Sequence, residues 1–248
     1  MGLPDQWDAC SRTIILERNP VDFGYSGDIM AVGLGSDVVL LDAVTGSRTS
    51  VLCGHTKAIT TFALSLDGTH LISISLENTV KLWDIQTGGV IGTLDESSRV
   101  MAALISPDNT TIALGTYDGT IRLWDIQTGK SPFVKKGHGR GVTAIAFSPI
   151  NSRCLVSSSW DGTVGQWDVD GHQVRAFHYG DGMEDVVYTS DGTRFISCTK
   201  MAVTIQDSEF GMAVTVLDRP GKEKERLLQC HFSPNGRFVA CSTSGTIC

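Results

Sequence analysis

The stretch that decides the fold is VKLWDIQTGG, Val80 to Gly89, because it is written again as IRLWDIQTGK, Ile121 to Lys130, and as VGQWDVDGHQ, Val164 to Gln173. The three share a Trp-Asp core, and their tryptophans, Trp83, Trp124 and Trp167, stand 41 and 43 residues apart. Fainter copies flank them. VVLLDAVTGS (Val38 to Ser47) lies one period upstream with Asp42 in step, and VTIQDSEFGM (Val203 to Met212) lies one period downstream with Asp207 in step. A second landmark keeps the same interval: SLDG at Ser65, SPDN at Ser106, SPIN at Ser148, TSDG at Thr189 and SPNG at Ser233. Two landmarks with one spacing define a repeated unit.

Within the unit that starts at Gly137, VTAIAFS alternates as a strand does, SPINSR is a turn, and CLVSSS is a second strand. WDG follows as a tight hairpin turn in which Asp161-Gly162 is expected to supply the positive-φ positions. TVGQWD is the third strand, VDGH a turn, and QVRAF the fourth. No helical periodicity of useful length interrupts the pattern. Short strands between frequent turns predict an all-β protein, and a superperiod of this length predicts a β-propeller of four-stranded antiparallel blades.

The expected repeats run over approximately 18–53, 54–96, 97–136, 137–178, 179–218 and a partial 219–248, one propeller domain over 1–248. About six blades result, the last incomplete. An orphan strand, RTIILE (Arg12 to Glu17), precedes them. It is expected to close the last blade, since lending a terminal strand to the other end removes an exposed edge. The alternative is a piece of a longer array.

Composition excludes several classes. Hydrophobic residues make up 41% and charged residues 19%, enough for a sizeable core. The formal net charge is −7, which repels phosphate backbones and anionic lipid, so neither nucleic acid nor membrane is expected as a partner. The basic clusters are small: Lys135-Lys136 with Arg140, and the mixed run Lys222 to Arg226. Seven cysteines (Cys10, Cys53, Cys154, Cys198, Cys230, Cys241, Cys248) form no C-x-x-C pair, which suits a reducing compartment. Met1 to Trp7 offers no signal sequence, and no run of 18 apolar residues occurs. The expected address is the cytoplasm, where the triplet Asn109-Thr110-Thr111 would carry no glycan.

Motifs that suggest chemistry fail on their spacing. TGKS (Thr128 to Ser131) has Trp124 where a phosphate loop needs glycine, and it joins two strands rather than a strand and a helix. GLGSDV (Gly33 to Val38) has Val38 at the third glycine position of a dinucleotide fingerprint. The histidines His55, His70, His138, His172, His178 and His231 show no zinc-ligand spacing. Cys230-His231 and Ser157-Ser158-Ser159 sit in ordinary strand positions, and Asp95-Glu96 and Glu184-Asp185 read as loop charges. No catalytic residue, metal or cofactor is expected. A propeller enzyme with an active site in the central channel is the competing class.

The residues GHTKAITTFALSLDGTHLISISLENTVKLWDIQTG (Gly54 to Gly88) closely resemble the WD-repeat family, and the resemblance covers nearly the whole chain, strongly from Gly54 to Asp168 and weakly elsewhere. It implies a buried hydrogen-bonded chain of His, Ser or Thr, Asp and Trp in each blade. The fourth blade matches at His138, Ser157, Asp161 and Trp167. The second matches at His55, Ser73 and Trp83, with Glu77 in place of the Asp. The third keeps Asp118 and Trp124 but has Leu114 at the hydroxyl position and no preceding His; the first, fifth and sixth lack the set. The resemblance also implies a protein-interaction scaffold that binds a protein partner on its narrow face. The implied contacts are Leu76, Tyr117 and Trp160, each before the tetrad acidic position, and Thr60, Arg99, Met101, Thr143 and Glu184 at the starts of inner strands. The opening stretch from Trp7 to Thr56 is similar to the junction before the propellers of fungal NACHT-type signalling NTPases, which implies a sensor role.

Overall fold

In a computed structural model, the described residues are 23–131, 133–170, 172–218, 227–232 and 239–243. They form five complete four-stranded antiparallel sheets and two strands of a sixth. Each sheet is a meander, with strands paired in chain order. Blade 1 holds Phe23–Ser26, Ile29–Leu34, Asp37–Asp42 and Arg48–Leu52; blade 2 holds Ile59–Leu64, His70–Ser75, Thr79–Asp84 and Val90–Asp95. Blade 3 holds Val100–Ile105, Thr111–Thr116, Thr120–Asp125 and Phe133–Lys136; blade 4 holds Val142–Phe147, Cys154–Ser159, Thr163–Asp168 and Gln173–His178. Blade 5 holds Met183–Tyr188, Arg194–Thr199, Ala202–Asp207 and Ala213–Asp218, and blade 6 holds Leu227–Phe232 and Val239–Thr243. The expected closing strand Arg12 to Glu17 lies outside the described residues, as do Trp7, the SPNG turn and the end of the partial repeat, 244–248.

The cores lie between blades. Ala31, Val38 and Leu40 of blade 1 pack on Ile59, Phe62 and Trp83 of blade 2. Ile72, Val80 and Leu82 of blade 2 pack on Val100, Ile112 and Trp124 of blade 3. Blades 3 and 4 meet through Ile121, Leu123, Val142 and Trp167, and blades 4 and 5 through Val156, Val164, Val186 and Phe195. Each repeat tryptophan therefore faces the preceding blade. A small neighbour makes room for it: a Cβ on Gly92 of blade 2 would sit 2.8 Å from the Trp124 ring. Lys135 of blade 3 lies over the Trp167 ring at 5.4 Å, a cation–π contact across the same kind of interface.

The second landmark has a local cause. Ser65 donates to Asp67 at 2.7 Å and accepts from the His70 amide at 2.9 Å, so one hydroxyl ties both arms of the turn. Ser106 with Asp108 repeats the arrangement, and Thr189 with Asp191 repeats it again.

The hairpin turns after the second strands correct one expectation. Only Gly162 has positive φ, 83°, and Asp161 does not; Gly119 and Asn78 are its counterparts at 87° and 62°. With a single left-handed residue the turn is not the two-residue type expected. Asp161 instead accepts the Thr163 amide at 2.9 Å.

Candidate functional site

The tetrad positions form a proton-ordered chain. In blade 4 Trp167 Nε1 donates to Ser157 Oγ at 2.8 Å, and Ser157 Oγ lies 2.7 Å from His138 Nε2. His138 Nδ1 reaches Thr163 Oγ1 at 2.8 Å, and Thr163 donates to Asp161 at 2.6 Å. One arrangement satisfies every member: the Ser157 hydroxyl donates to Nε2, and a neutral His138 donates from Nδ1 to Thr163. Burial pushes the His138 imidazole pKa down, in keeping with that neutral form. Burial alone would raise Asp161, but hydrogen bonds from Thr163 and the Gly139 amide hold it below the usual carboxylate range.

Blade 2 repeats the chain through Trp83, Ser73, His55 and Thr79, with Glu77 accepting from Thr79. The Thr56 hydroxyl donates to Glu77 and, with His55 and Thr79, holds its pKa down to about 2. The threonines that begin the third strands of blades 2 and 4, Thr79 and Thr163, are thus part of the machinery. Their signal was present in the repeated TV and TI before each Trp-Asp strand.

The other blades fill the same slots differently. Glu96, His138 and Tyr179 donate their amides to Asn78, Gly119 and Gly162, so they occupy one position in successive blades. In blade 3 Glu96, with 2% of its side chain exposed, meets Arg122 at 2.8 Å as an ion pair rather than an aligned hydrogen bond. Burial pushes the Glu96 carboxyl up, against the pull of Arg122. Leu114 stands where Ser157 stands, and the buried Trp124 Nε1 has no hydrogen-bond partner among the described residues. In blade 5 Tyr179 takes the histidine position, Ser197 the hydroxyl position and Gln206 the tryptophan position; Ser197 donates to Gln206 at 3.4 Å. Burial raises the Tyr179 hydroxyl, which faces Ser197 and Gln206.

Ser157, His138 and Asp161 have the residue types of a hydrolytic triad, but Ser157 is 0% exposed and its oxygen already accepts from Trp167. A nucleophile must be reachable, so this chain of bonds is structural. Among the described residues no group of three His, Cys, Asp or Glu side chains could hold a metal ion.

What faces solvent is the rim. Leu76, Tyr117 and Trp160 are equivalent: their amides donate to the carbonyls of Ala58, Arg99 and Gly141 at 2.9, 2.8 and 3.1 Å. Leu76 is 56% and Tyr117 58% exposed, while Trp160 is half-buried against Gly141. Tyr117 and Trp160 meet edge-to-face at 5.9 Å. Both residues, with Asp118, Arg140, Lys200 and the glycines Gly139, Gly141 and Gly182, line a cavity of about 590 Å³. Its size is that of a small-ligand or side-chain pocket.

Thr60, Met101, Thr143 and Glu184 share a feature that no sequence pattern marks. Each is the extra residue of a β-bulge in its inner strand: Val142 and Ala144 pair with Ser159 and Ser158, for example, and Thr143 is left out of the ladder. Bulges re-aim side chains at sheet margins. Thr143 bonds Ser158 at 2.8 Å, and Glu184 pairs with Lys200 at 3.6 Å. Lys200 follows its second strand directly, as Trp160 follows Ser159, and so extends the rim row into blade 5. It went unrecognised because Lys200-Met201-Ala202 lacks the Asp-Gly signature of the turn.

Blades packed face on face, with the Trp-Ser-His chain inside two of them, define a β-propeller of repeated Trp-Asp units. The chain belongs to the WD40 family, described as WD domain, G-beta repeat, which matches residues 46–84, 88–125, 129–168 and 215–248. It is 29% identical over 206 residues to periodic tryptophan protein 2 of Arabidopsis thaliana, covering 78% of this chain and 23% of that protein. It is 27% identical over 209 residues to eukaryotic translation initiation factor 3 subunit I of Pyricularia oryzae, covering 76% of this chain and 61% of that protein. The chain thus spans less than two thirds of either relative. A chain in a crystal structure of the mitotic checkpoint complex shares the fold with a TM-score of 0.80 and 22% identity, over 91% of this chain and 72% of that one.

Proposed function

We propose that this chain is a non-catalytic protein-interaction scaffold that docks a protein partner on the rim built by Leu76, Tyr117 and Trp160. The carrying observation is the exposed Tyr117 ring packed edge-to-face on Trp160 beside an open cavity. Tyr and Trp give large contact area at low entropy cost, and such residues dominate binding energy at interfaces. Arg99, Met101, Thr143 and Glu184 extend the same surface. The buried polar groups, by contrast, are occupied with holding blades together, which supports a role without catalysis.

The test is capture with the full chain as bait, beside Trp160→Ala and Tyr117→Ala baits of equal melting temperature. A partner held by the parent and released by both variants supports the proposal. Equal recovery by all three sinks it.

A cytoplasmic address and a partner that is not nucleic acid belong to the same reading, supported by the thiols of Cys53, Cys154 and Cys198 being free and by the net charge of −7. Among the described residues no helix is long and apolar enough to cross a membrane. The similarity of Trp7 to Thr56 to the junction of NACHT-type proteins favours a more specific version, the sensor propeller of a nucleotide-switch protein. Sequencing the full transcript tests it: a nucleotide-binding domain encoded in frame upstream supports it, and a stop codon directly upstream removes it.

A further inference from the structure

We propose that the partner segment held on this rim is acidic, an extended peptide whose Asp or Glu side chains bind Lys57, Arg99 and Arg140 while an apolar residue lies on Tyr117 and Trp160. The proposal rests on the docking role of the rim and names the chemistry of what docks there.

The three cations share the rim. Ser75 and Ser159 donate to the carbonyls of Lys57 and Arg140 at 3.0 Å, which makes those two residues equivalent in blades 2 and 4. Arg99 supplies the carbonyl under Tyr117, and Arg140 walls the cavity beside it. All three are exposed, and among the described residues none has an ion-pair partner, in a chain of net charge −7.

The carboxylates close by do not offset them in kind. Glu77 is taken up by Thr56, Thr79 and His55, Asp118 by Thr116 and Thr120, and Asp161 by Thr163 and the Gly139 amide. Both oxygens of Glu77 and of Asp161, and Oδ1 of Asp118, are engaged inside their own blades. Guanidinium and ammonium groups have donors only, so a ligand must supply acceptors, and a carboxylate fits the arginine fork with two parallel bonds. The aromatic pair between the cations requires an apolar group in the same segment, which a peptide with alternating acidic and apolar residues provides. A single-stranded nucleic acid would bring phosphate acceptors and bases that stack on the rings, but the acidic surroundings of a chain of net charge −7 oppose a long polyanion.

The experiment uses the whole chain and fluorescence anisotropy with three labelled probes: a peptide of three Gly-Leu-Glu-Glu repeats, its counterpart with Gln for every Glu, and an oligouridylate of equal length. The Glu peptide is expected to bind at least about tenfold more tightly than the Gln peptide. Its affinity should fall steeply with added salt, because exposed charge pairs are screened. Arg99→Glu combined with Arg140→Glu should abolish the preference and leave the melting temperature unchanged, and Trp160→Ala should weaken the Glu peptide. Equal binding of Glu and Gln peptides, a preference that survives the charge reversal, or tighter binding of the oligouridylate each overturns the acidic assignment. Equal binding of both peptides that Trp160→Ala destroys would leave the docking surface standing and remove only the charge preference. Failure of the parent to bind either peptide also overturns the acidic assignment, while docking itself is judged by the partner capture above.

Discussion

Trp167 and Trp124 hold the same position in neighbouring blades and have opposite fates: the Trp167 indole N–H is bonded to Ser157 at 2.8 Å, and the Trp124 N–H is buried without a partner among the described residues. The difference traces to one side chain, Ser157 against Leu114. It sets the expected cost of mutation in each blade.

Ser157→Ala should destabilise the protein by about 1–3 kcal/mol, because it strands the Trp167 donor and leaves His138 Nε2 unmatched in a dry interior. Trp167→Ala removes the bulk as well and should cost about 3–5 kcal/mol. Thermal or urea unfolding measures both. Equal stability of Ser157→Ala and the parent would show that the chain of bonds contributes nothing net.

The Glu77 cap predicts acid sensitivity with a definite sign. Its folded pKa is about 2 against an ordinary 4.5, so its contribution is complete above pH 4.5 and disappears as pH falls towards 2. The melting temperature of the parent should therefore fall more steeply between pH 5 and pH 2.5 than that of Glu77→Gln. Parallel curves would remove this residue from the account of acid unfolding.

Arg122→Ala should leave the buried Glu96 carboxylate unpaired. The expected loss is about 2–3 kcal/mol at neutral pH, below that for a fully buried pair because part of Arg122 is exposed. Since burial has already raised the Glu96 pKa above the ordinary carboxylate value, protonation relieves the unpaired charge, and the variant should recover stability as pH falls from neutrality towards the ordinary carboxylate range. A pH-independent loss would point to packing of the arginine stem instead.

The repeat, the strand order and the Trp-Ser-His chain of blades 2 and 4 are readable because each rests on one residue type in a fixed place. The slot shared by Glu96, His138 and Tyr179 is not, since a carboxylate, an imidazole and a phenol satisfy it with different partners and share no letter. The bulges at Thr60, Met101, Thr143 and Glu184 are equally silent: they arise from strand register, and a hydroxyl, a thioether and a carboxylate are all accommodated there. The rim of blades 2 to 4 was legible through its acidic turn residues, and Lys200 was lost with that marker.

Gly141 lies between the Trp160 ring and the Tyr117 carbonyl at the cavity, where an added Cβ would meet them at 3.0 and 3.2 Å. Gly141→Val should displace the indole, shift the tryptophan emission and weaken partner capture, with a melting temperature close to that of the parent. Unaltered capture would separate the cavity from the docking role.

The fourth strand of blade 5 carries Val214 and Val216 on one face, 49% and 57% exposed. An apolar outer strand of this kind promotes association between molecules. Val214→Lys with Val216→Lys should lower the apparent mass in light scattering at high protein concentration without loss of folding. An unchanged mass would exonerate this strand.

The shared slot has a consequence for how such a chain finds its native pairing. Near-copies in tandem can exchange strands during folding, since one Trp-Asp strand resembles the next. Here an exchange carries its own penalty: Glu96 set beside the third strand of blade 4 would find Gly165 in place of Arg122 and keep a buried charge unmatched. His138 set against blade 3 would find Leu114 in place of Ser157. The mismatched interiors act as private keys, so that repetition on the outside coexists with individual identity within.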